Sequence, residues 1–425
     1  MPLTLVPPAL PQFAAAAPST PLGPFADSAV TWTAWVTLMG FVGLSALALL
    51  AVGPAAARTA PGAIPALTAR LARAAVVVGL LAVPAVLTDL AHGAAKSGGY
   101  DYAAAWGSLY DGSNDGRLSG LEVTFSLLGA ALLAPLTVRR IAAGRGRGTL
   151  LGAGLAAGAI ALGTTKFPDK APDDWGRTVF NTLMWLLHLI GGGVWLGGLA
   201  GLLLIALPGG GLPSGLGAAE RTAFWSATVR RFSAWAMGCV AAITLSGLFL
   251  YWEHVDGPTQ LVTTMYGRVL GVKILIFGAL LLLGMFNQFR LHPRIEALRA
   301  AGDQRPLATV LLRTFPAVVG VEVLLALAVL FVAPFLHGSA RNQAYQADLA
   351  KHAATSPTAG EAEQLPKLAA KQPTASTWVW GTTETIAVIA LMVGGYRVSG
   401  TLAARRTSAA APAPKPASEP VRDAG

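Results

Sequence analysis

The sequence predicts an all-α, polytopic membrane protein with about nine transmembrane helices. Of its 425 residues, 54% are hydrophobic and only 12% are charged, a balance typical of proteins embedded in a bilayer. The apolar residues fall in runs of roughly 20, the length that a helix needs to cross the hydrocarbon core. These observations exclude a soluble enzyme, and we predict no enzymatic role.

The predicted spans follow one another along the chain near residues 29–53, 71–92, 118–138, 148–164, 178–207, 232–253, 267–289, 314–337 and 377–396. Residues 1–27 are rich in Pro and Ala and are predicted to be disordered outside the membrane. They lack the basic region of a signal peptide, so the first span is expected to insert uncleaved. Residues 338–376 are predicted to form an outer polar loop, and residues 398–425 a disordered cytoplasmic tail.

The distribution of basic residues predicts the orientation. With the N-terminus outside, most of the 31 Lys and Arg residues fall in cytoplasmic segments, where basic residues are normally retained. We therefore expect the N-terminus outside and the C-terminus in the cytoplasm. The net charge of +10 then lies on the cytoplasmic face, where it favours membrane lipids rather than nucleic acid as a partner.

A short internal repeat predicts a duplication. The segment Gly116-Arg-Leu-Ser-Gly-Leu-Glu122 returns as Gly267-Arg-Val-Leu-Gly-Val-Lys273, and each copy opens a long apolar run. Trp35 and Gly43 likewise correspond to Trp185 and Gly193, 150 residues later. We interpret residues 28–165 and 166–337 as two parallel four-helix units, with a ninth helix at 377–397 appended.

Three ionisable residues inside spans are candidate functional residues, because a charge within a membrane is costly. Glu122 and Lys273 occupy equivalent positions in the two copies and are expected to meet near the symmetry axis. The pair would be either a fixed link between the units or a gate for a passing cation. Glu322 lies in the inner third of the eighth span. It could be an exit-side ligand or a proton carrier, or a nearby arginine could neutralise it.

The second half of the chain resembles the copper resistance CopD family, most strongly over residues 178–337. The resemblance is carried by His188-Leu-Ile-Gly-Gly-Gly-Val-Trp195-Leu-Gly-Gly, Arg231-Phe-Ser, Thr244-Leu-Ser-Gly247, Tyr266-Gly-Arg-Val-Leu-Gly-Val-Lys273, Asn287-Gln-Phe-Arg290 and Glu322. It implies a multi-pass inner-membrane protein that moves copper across or into the membrane. A periplasmic copper-binding protein of the CopC type is the partner that it implies.

Histidines provide candidate copper ligands, since imidazole suits this metal. His92, His254 and His337 end the second, sixth and eighth spans on the same predicted side, and Asp89 lies one turn before His92. Together they could form a copper site at the outer mouth, or they could be separate hydrated side chains at the interface.

His188 lies near the predicted midplane of the fifth span, with Met184 on the same helix face. It could ligate or relay copper, or it could simply form a hydrogen bond to a neighbouring helix. The alternative function is a haem-binding electron-transfer protein, because four-helix membrane bundles can hold haem between histidines. We rank it lower, since only His92 and His188 lie within spans, at different depths.

Overall fold

The computed structural model describes residues 25–95, 99–168, 170–207, 212, 216–255, 258, 260–263, 265–287, 314–337 and 375–409. All regular secondary structure within these ranges is helical, which confirms the predicted all-α class. The helices are α1 (Phe25–Leu47), α2 (Gly53–Thr59), α3 (Ile64–Ala94), α4 (Tyr102–Ser108), α5 (Asn114–Leu133), α6 (Arg139–Ala142), α7 (Arg147–Thr164), α8 (Trp175–Ala206), α9 (Ala218–His254), α10 (Gln260–Thr263), α11 (Met265–Phe286), α12 (Phe315–His337) and α13 (Ala375–Ala409).

Seven helical segments in the described part of the chain are long and apolar enough to cross a membrane. They are Phe25–Thr59, Pro61–Ala94, Asn114–Thr137, Trp175–Ala206, Ala219–His254, Tyr266–Phe286 and Phe315–Leu336. Each coincides with a predicted span. The other two predicted spans correspond to the 18-residue α7 and to Val379–Gly395, the apolar part of α13.

Several helices extend beyond their predicted spans. The second was predicted at 71–92 but α3 runs over Ile64–Ala94, and the sixth was predicted at 232–253 but α9 begins at Ala218. A π-helical segment, Ala48–Val52, joins α1 to α2, so that Phe25–Thr59 is one continuous helical segment. The helix α13 continues to Ala409, whereas the sequence predicted disorder from residue 398. It belongs to a second compact unit, Thr374–Gly425, separate from Met1–Pro373.

The helix α1 is central to the larger unit, since it contacts α3, α7, α8 and α12. On one side α5 packs against α3 and α7. On the other side α8 packs against α9 and α12, and α11 packs against α12. One hydrogen bond, from the indole N–H of Trp32 to the Leu327 carbonyl oxygen at 3.1 Å, also ties α1 to α12. The predicted first and second four-helix units are therefore joined through α1.

Glycines allow the helices of the first unit to close around one aromatic ring. Phe41 of α1 is only 1% exposed. Gly79, Gly129 and Gly158 come from α3, α5 and α7, and a Cβ atom on any of them would lie 2.4–2.8 Å from the Phe41 side chain. Small residues let membrane helices approach closely, so these glycines form the socket that holds Phe41.

The crossing of α1 and α8 is also made by glycines. A Cβ atom on Gly43 would lie 2.3 Å from the Gly193 carbonyl oxygen and 2.4 Å from the Gly197 Cα atom. Gly43 and Gly193 are the residues that the predicted duplication pairs. The two residues lie in close contact, and the duplication itself stays a prediction.

Candidate functional site

Polar and ionisable side chains of the membrane helices gather in three places. We call them the acidic pocket (Asp27, Thr31, Asp89, His92, Glu122 and Lys166), the His188 site (Trp185, His188, Ser246 and Lys273) and the Glu322–Asn287 pair. Each place joins side chains from different helices. Each place also contains candidate functional residues predicted from the sequence, but their partners differ from the predicted ones.

The acidic pocket lies where α1 begins and α3 ends. His92 Nε2 is 3.1 Å from Asp27 Oδ2, and the Thr31 hydroxyl donates a hydrogen bond of 2.6 Å to Asp89 Oδ1. Both contacts link α1 to α3. The carboxyl group of Glu122 enters from α5, is 7% exposed, and interacts electrostatically with Asp89 and Lys166.

The expected ion pair between Glu122 and Lys273 is not formed. Within the described residues, Glu122 has Asp89 and Lys166 as its charged neighbours, whereas Lys273 interacts with His188. The physical reason is packing. Glu122 is on α5, which packs against α3 and α7, while Lys273 is on α11, which packs against α12. The gate between these two residues therefore has no basis in the structure.

The hydrogen bonds of His188 fix which ring nitrogen carries the proton. His188 Nδ1 lies 3.1 Å from Ser246 Oγ. The Ser246 hydroxyl has one proton, which it donates to the Ala242 and Ile243 carbonyl oxygens of its own helix. Ser246 Oγ must therefore accept from His188, and we assign the Nδ1–H tautomer. This leaves the lone pair on Nε2, the nitrogen that a metal would take.

Two charged or aromatic side chains flank the His188 ring. Trp185 meets it edge to face, with ring centroids 6.5 Å apart. Lys273 of α11 lies close enough to act on His188 electrostatically. Gly247 is close as well, since a Cβ atom there would lie 3.4 Å from His188 Cε1. Met184, one turn before His188, is half-buried.

Lys166 connects the acidic pocket to the His188 site. It lies just after α7, outside the membrane-spanning segments, and its Nζ atom is 4.4 Å from the centroid of the Trp185 ring. Burial lowers the pKa of Lys166 below its usual value, while the nearby Glu122 carboxylate opposes that shift. The ammonium group thus has an anionic partner in the first unit and an aromatic partner in the second.

The Glu322–Asn287 pair lies between α11 and α12. The Asn287 side-chain amide donates a hydrogen bond of 2.7 Å to Glu322 Oε1, and Glu322 is only 4% exposed. Asn287 Oδ1 is buried and has no hydrogen-bond partner among the described residues. Arg290 and Arg313, the arginines that could have neutralised Glu322, lie outside the described residues. Asparagine is therefore the partner that the structure gives to this carboxyl group.

The described residues do not assemble the predicted outer histidine cluster. His92 is bound to Asp27, and His254 donates from Nδ1 to the Leu250 carbonyl oxygen at 2.8 Å while its ring stacks on Tyr266. His337 ends α12, and its side chain lies outside the description. Within the described part of the chain, no group of three or more His, Cys, Asp or Glu side chains is arranged to hold a metal ion.

Two residues that organise these sites were not predicted from the sequence as candidates. Asp27 was placed in the disordered N-terminus, although α1 begins at Phe25 and brings it to His92. Lys166 was counted as a loop residue. The feature that could have identified Lys166 is its position, because it is a lysine directly after an apolar run that was predicted to be a span.

Comparison with known proteins supports the resemblance in the second half. The family model of copper resistance protein D, CopD, matches residues 226–336, a segment that contains Ser246, Lys273, Asn287 and Glu322. The copper transport protein CutJ of Bacillus subtilis (strain 168) is 36% identical over 105 residues. That alignment covers 25% of this chain and 18% of CutJ, so the chain spans less than a fifth of this relative. No solved structure matches the chain significantly.

Proposed function

We propose that this protein moves copper across or into the membrane, with His188 as a copper ligand, because residues 226–336 match the CopD family model. The family is named for copper resistance and the Bacillus subtilis relative for copper transport. His188 itself precedes the matched segment, but its ring is held by Ser246, which lies within it.

The observation that carries this proposal is the orientation of the His188 ring. A ligating histidine usually donates its other N–H to a fixed acceptor, which sets the tautomer and aims the free nitrogen. Ser246 is that acceptor here, and Nε2 is left with its lone pair. Met184 lies on the same face of α8 and could add a thioether, a ligand that suits Cu(I).

Lys273 is the second element of the proposed site. Its ammonium group repels a cation at His188, because both would be positive within a medium that screens charge poorly. Copper occupancy therefore requires Lys273 to move away or to lose its proton. In this arrangement the gate is formed by His188 and Lys273, in place of the pair that the sequence predicted.

Glu322 is proposed as the exit-side residue, and the predicted orientation with the N-terminus outside is retained as part of the proposal. Asn287 Oδ1 and the Glu322 carboxyl group together offer oxygen ligands at one place between α11 and α12.

The sole cysteine, Cys239, can be replaced to give a cysteine-free background, in which single cysteines introduced into the loops report the side of the membrane on which each loop lies. A CopC-type partner would then be sought on the side that carries the N-terminus.

The test is the copper content of cells that express wild-type protein, His188→Ala or His254→Ala at equal levels. His254 is the matched control, since its ring is occupied by Leu250 and Tyr266. We expect His188→Ala to return copper content and tolerance to the vector-only level and His254→Ala to leave them unchanged. Equal copper content in His188→Ala and wild-type cells would overturn the proposal. A Soret band in the purified protein would instead support the haem-binding alternative.

A further inference from the structure

The acidic pocket has more negative than positive charge in its buried part. Glu122 is 7% exposed and lies eight residues into α5, about 12 Å from the start of that helix. Glu122 interacts electrostatically with one other carboxyl group, that of Asp89, and with one ammonium group, that of Lys166. His92, which also interacts electrostatically with Asp89, is bound to Asp27.

Glu122 differs from Asp89 in its hydrogen bonding. Asp89 accepts the Thr31 hydroxyl, but in the described part of the chain no hydrogen bond and no ion pair within 4.0 Å reaches the Glu122 carboxyl group. A buried carboxylate without a partner is costly in a membrane, and the cost disappears when it binds a cation. With one ammonium group for two carboxyl groups, one further positive charge balances the pocket.

We propose that Glu122 binds an exchangeable proton within the membrane. The exchange is an acid–base step in which the Glu122 carboxylate takes a proton from a hydronium ion and leaves water, and releases it by the reverse step. A proton fits the pocket better than a metal ion does, because the described side chains offer no set of three or more metal-binding groups here. The site lies outside the segment that matches the CopD family model.

The proton site is connected to His188 through Lys166, a step that rests on the proposed function. Lys166 is attracted by Glu122 only while Glu122 is ionised, and it also contacts Trp185, whose ring touches His188. When Glu122 takes up a proton, its attraction for Lys166 is lost, while the contact of Lys166 with Trp185, on the side of His188, remains. A positive charge there opposes copper at His188, so proton and copper binding compete and each weakens the other.

The proton site is tested without copper by infrared spectroscopy of the purified full-length protein. We expect a C=O stretching band of a protonated carboxylic acid that is lost in Glu122→Gln and kept in Glu253→Gln. Glu253 is the matched control because it is paired with Arg177 at 3.9 Å. Absence of any Glu122-dependent band over the pH range in which the protein stays folded would overturn the proposal.

The connection is tested by copper affinity, measured by competition with a chromogenic chelator. Glu122→Gln mimics the protonated state and should weaken copper binding severalfold. In a Lys166→Met background, Glu122→Gln should not change the copper affinity, because the ammonium charge that links Glu122 to His188 is absent. An equal loss in both backgrounds would overturn the connection. If His188→Ala binds copper normally while the infrared band depends on Glu122, the proposed copper ligand is wrong and the proton site stands.

Discussion

Gly43 is required by the distance between α1 and α8. In Gly43→Ala, the new Cβ atom would lie 2.3 Å from the Gly193 carbonyl oxygen. Since a close C···O contact is about 3.3 Å, the two backbones must separate by about 1 Å. Overpacking of this kind costs about 1–3 kcal/mol, and we take the upper end because both colliding groups are backbone. Alanine recovers about 1 kcal/mol of helix propensity, which leaves a net loss of about 2 kcal/mol.

The assay is reversible unfolding in mixed micelles of increasing SDS content, followed by circular dichroism. Gly192→Ala is the matched control, because its nearest atom would be Met39 Cε at 3.9 Å. Gly193→Ala should also be tolerated, since its Cβ atom would meet Leu162 and Met39 at an ordinary 3.4 Å. If Gly43→Ala unfolds at the same SDS fraction as Gly192→Ala, the close crossing of α1 and α8 is refuted.

Three further predictions concern packing, the copper site and Lys166. Phe41→Ala should lower the unfolding free energy by about 3–5 kcal/mol in the same assay, since it empties the glycine socket. Ser246→Ala should weaken copper binding by about 10–100-fold, because it removes the acceptor that orients His188; unchanged affinity would show that the ring is held otherwise. Glu122→Gln should lower the pKa of Lys166 further, because the carboxylate that favours the ammonium form is gone, so amine labelling of Lys166 should begin at a lower pH than in wild type.

The helices could be predicted from the sequence because crossing a bilayer imposes a length and an apolar composition that each segment shows by itself. Helix ends were predicted less well. The helix α3 begins at Ile64 although arginines follow at positions 70 and 73, and the arginines do not stop it since charged side chains near a helix end can reach the membrane surface. Hydropathy alone therefore places the middle of a span better than its ends.

Partners within the site could be predicted less well, because they depend on which face of each helix meets which neighbour. The predicted duplication makes Gly43 equivalent to Gly193 and Glu122 equivalent to Lys273, and equivalent residues were expected to meet. Only the first pair comes into contact. The helices α1 and α8 pack against each other, whereas α5 packs on α3 and α7 and α11 packs on α12, so equivalent residues on α5 and α11 stay apart.

The histidines illustrate the same limit. The ends of spans give the depth of His92 and His254 in the membrane but not their direction around the helix axis. In the structure each finds a partner nearby, Asp27 for His92 and the Leu250 carbonyl oxygen for His254. For His188 the sequence predicted a position near the midplane, where an imidazole needs a partner on a neighbouring helix, and the Ser246 hydroxyl of α9 is such a partner.

The position of α1 bears on the proposed coupling between the acidic pocket and the His188 site. This helix supplies Asp27 and Thr31 to the pocket and crosses α8, the helix of Trp185 and His188, at Gly43. A separation of about 1 Å at that crossing would also change the distance between the pocket and α8, which Lys166 bridges through Trp185. Gly43→Ala should therefore reduce the effect of Glu122→Gln on copper affinity, even under conditions in which the variant remains folded.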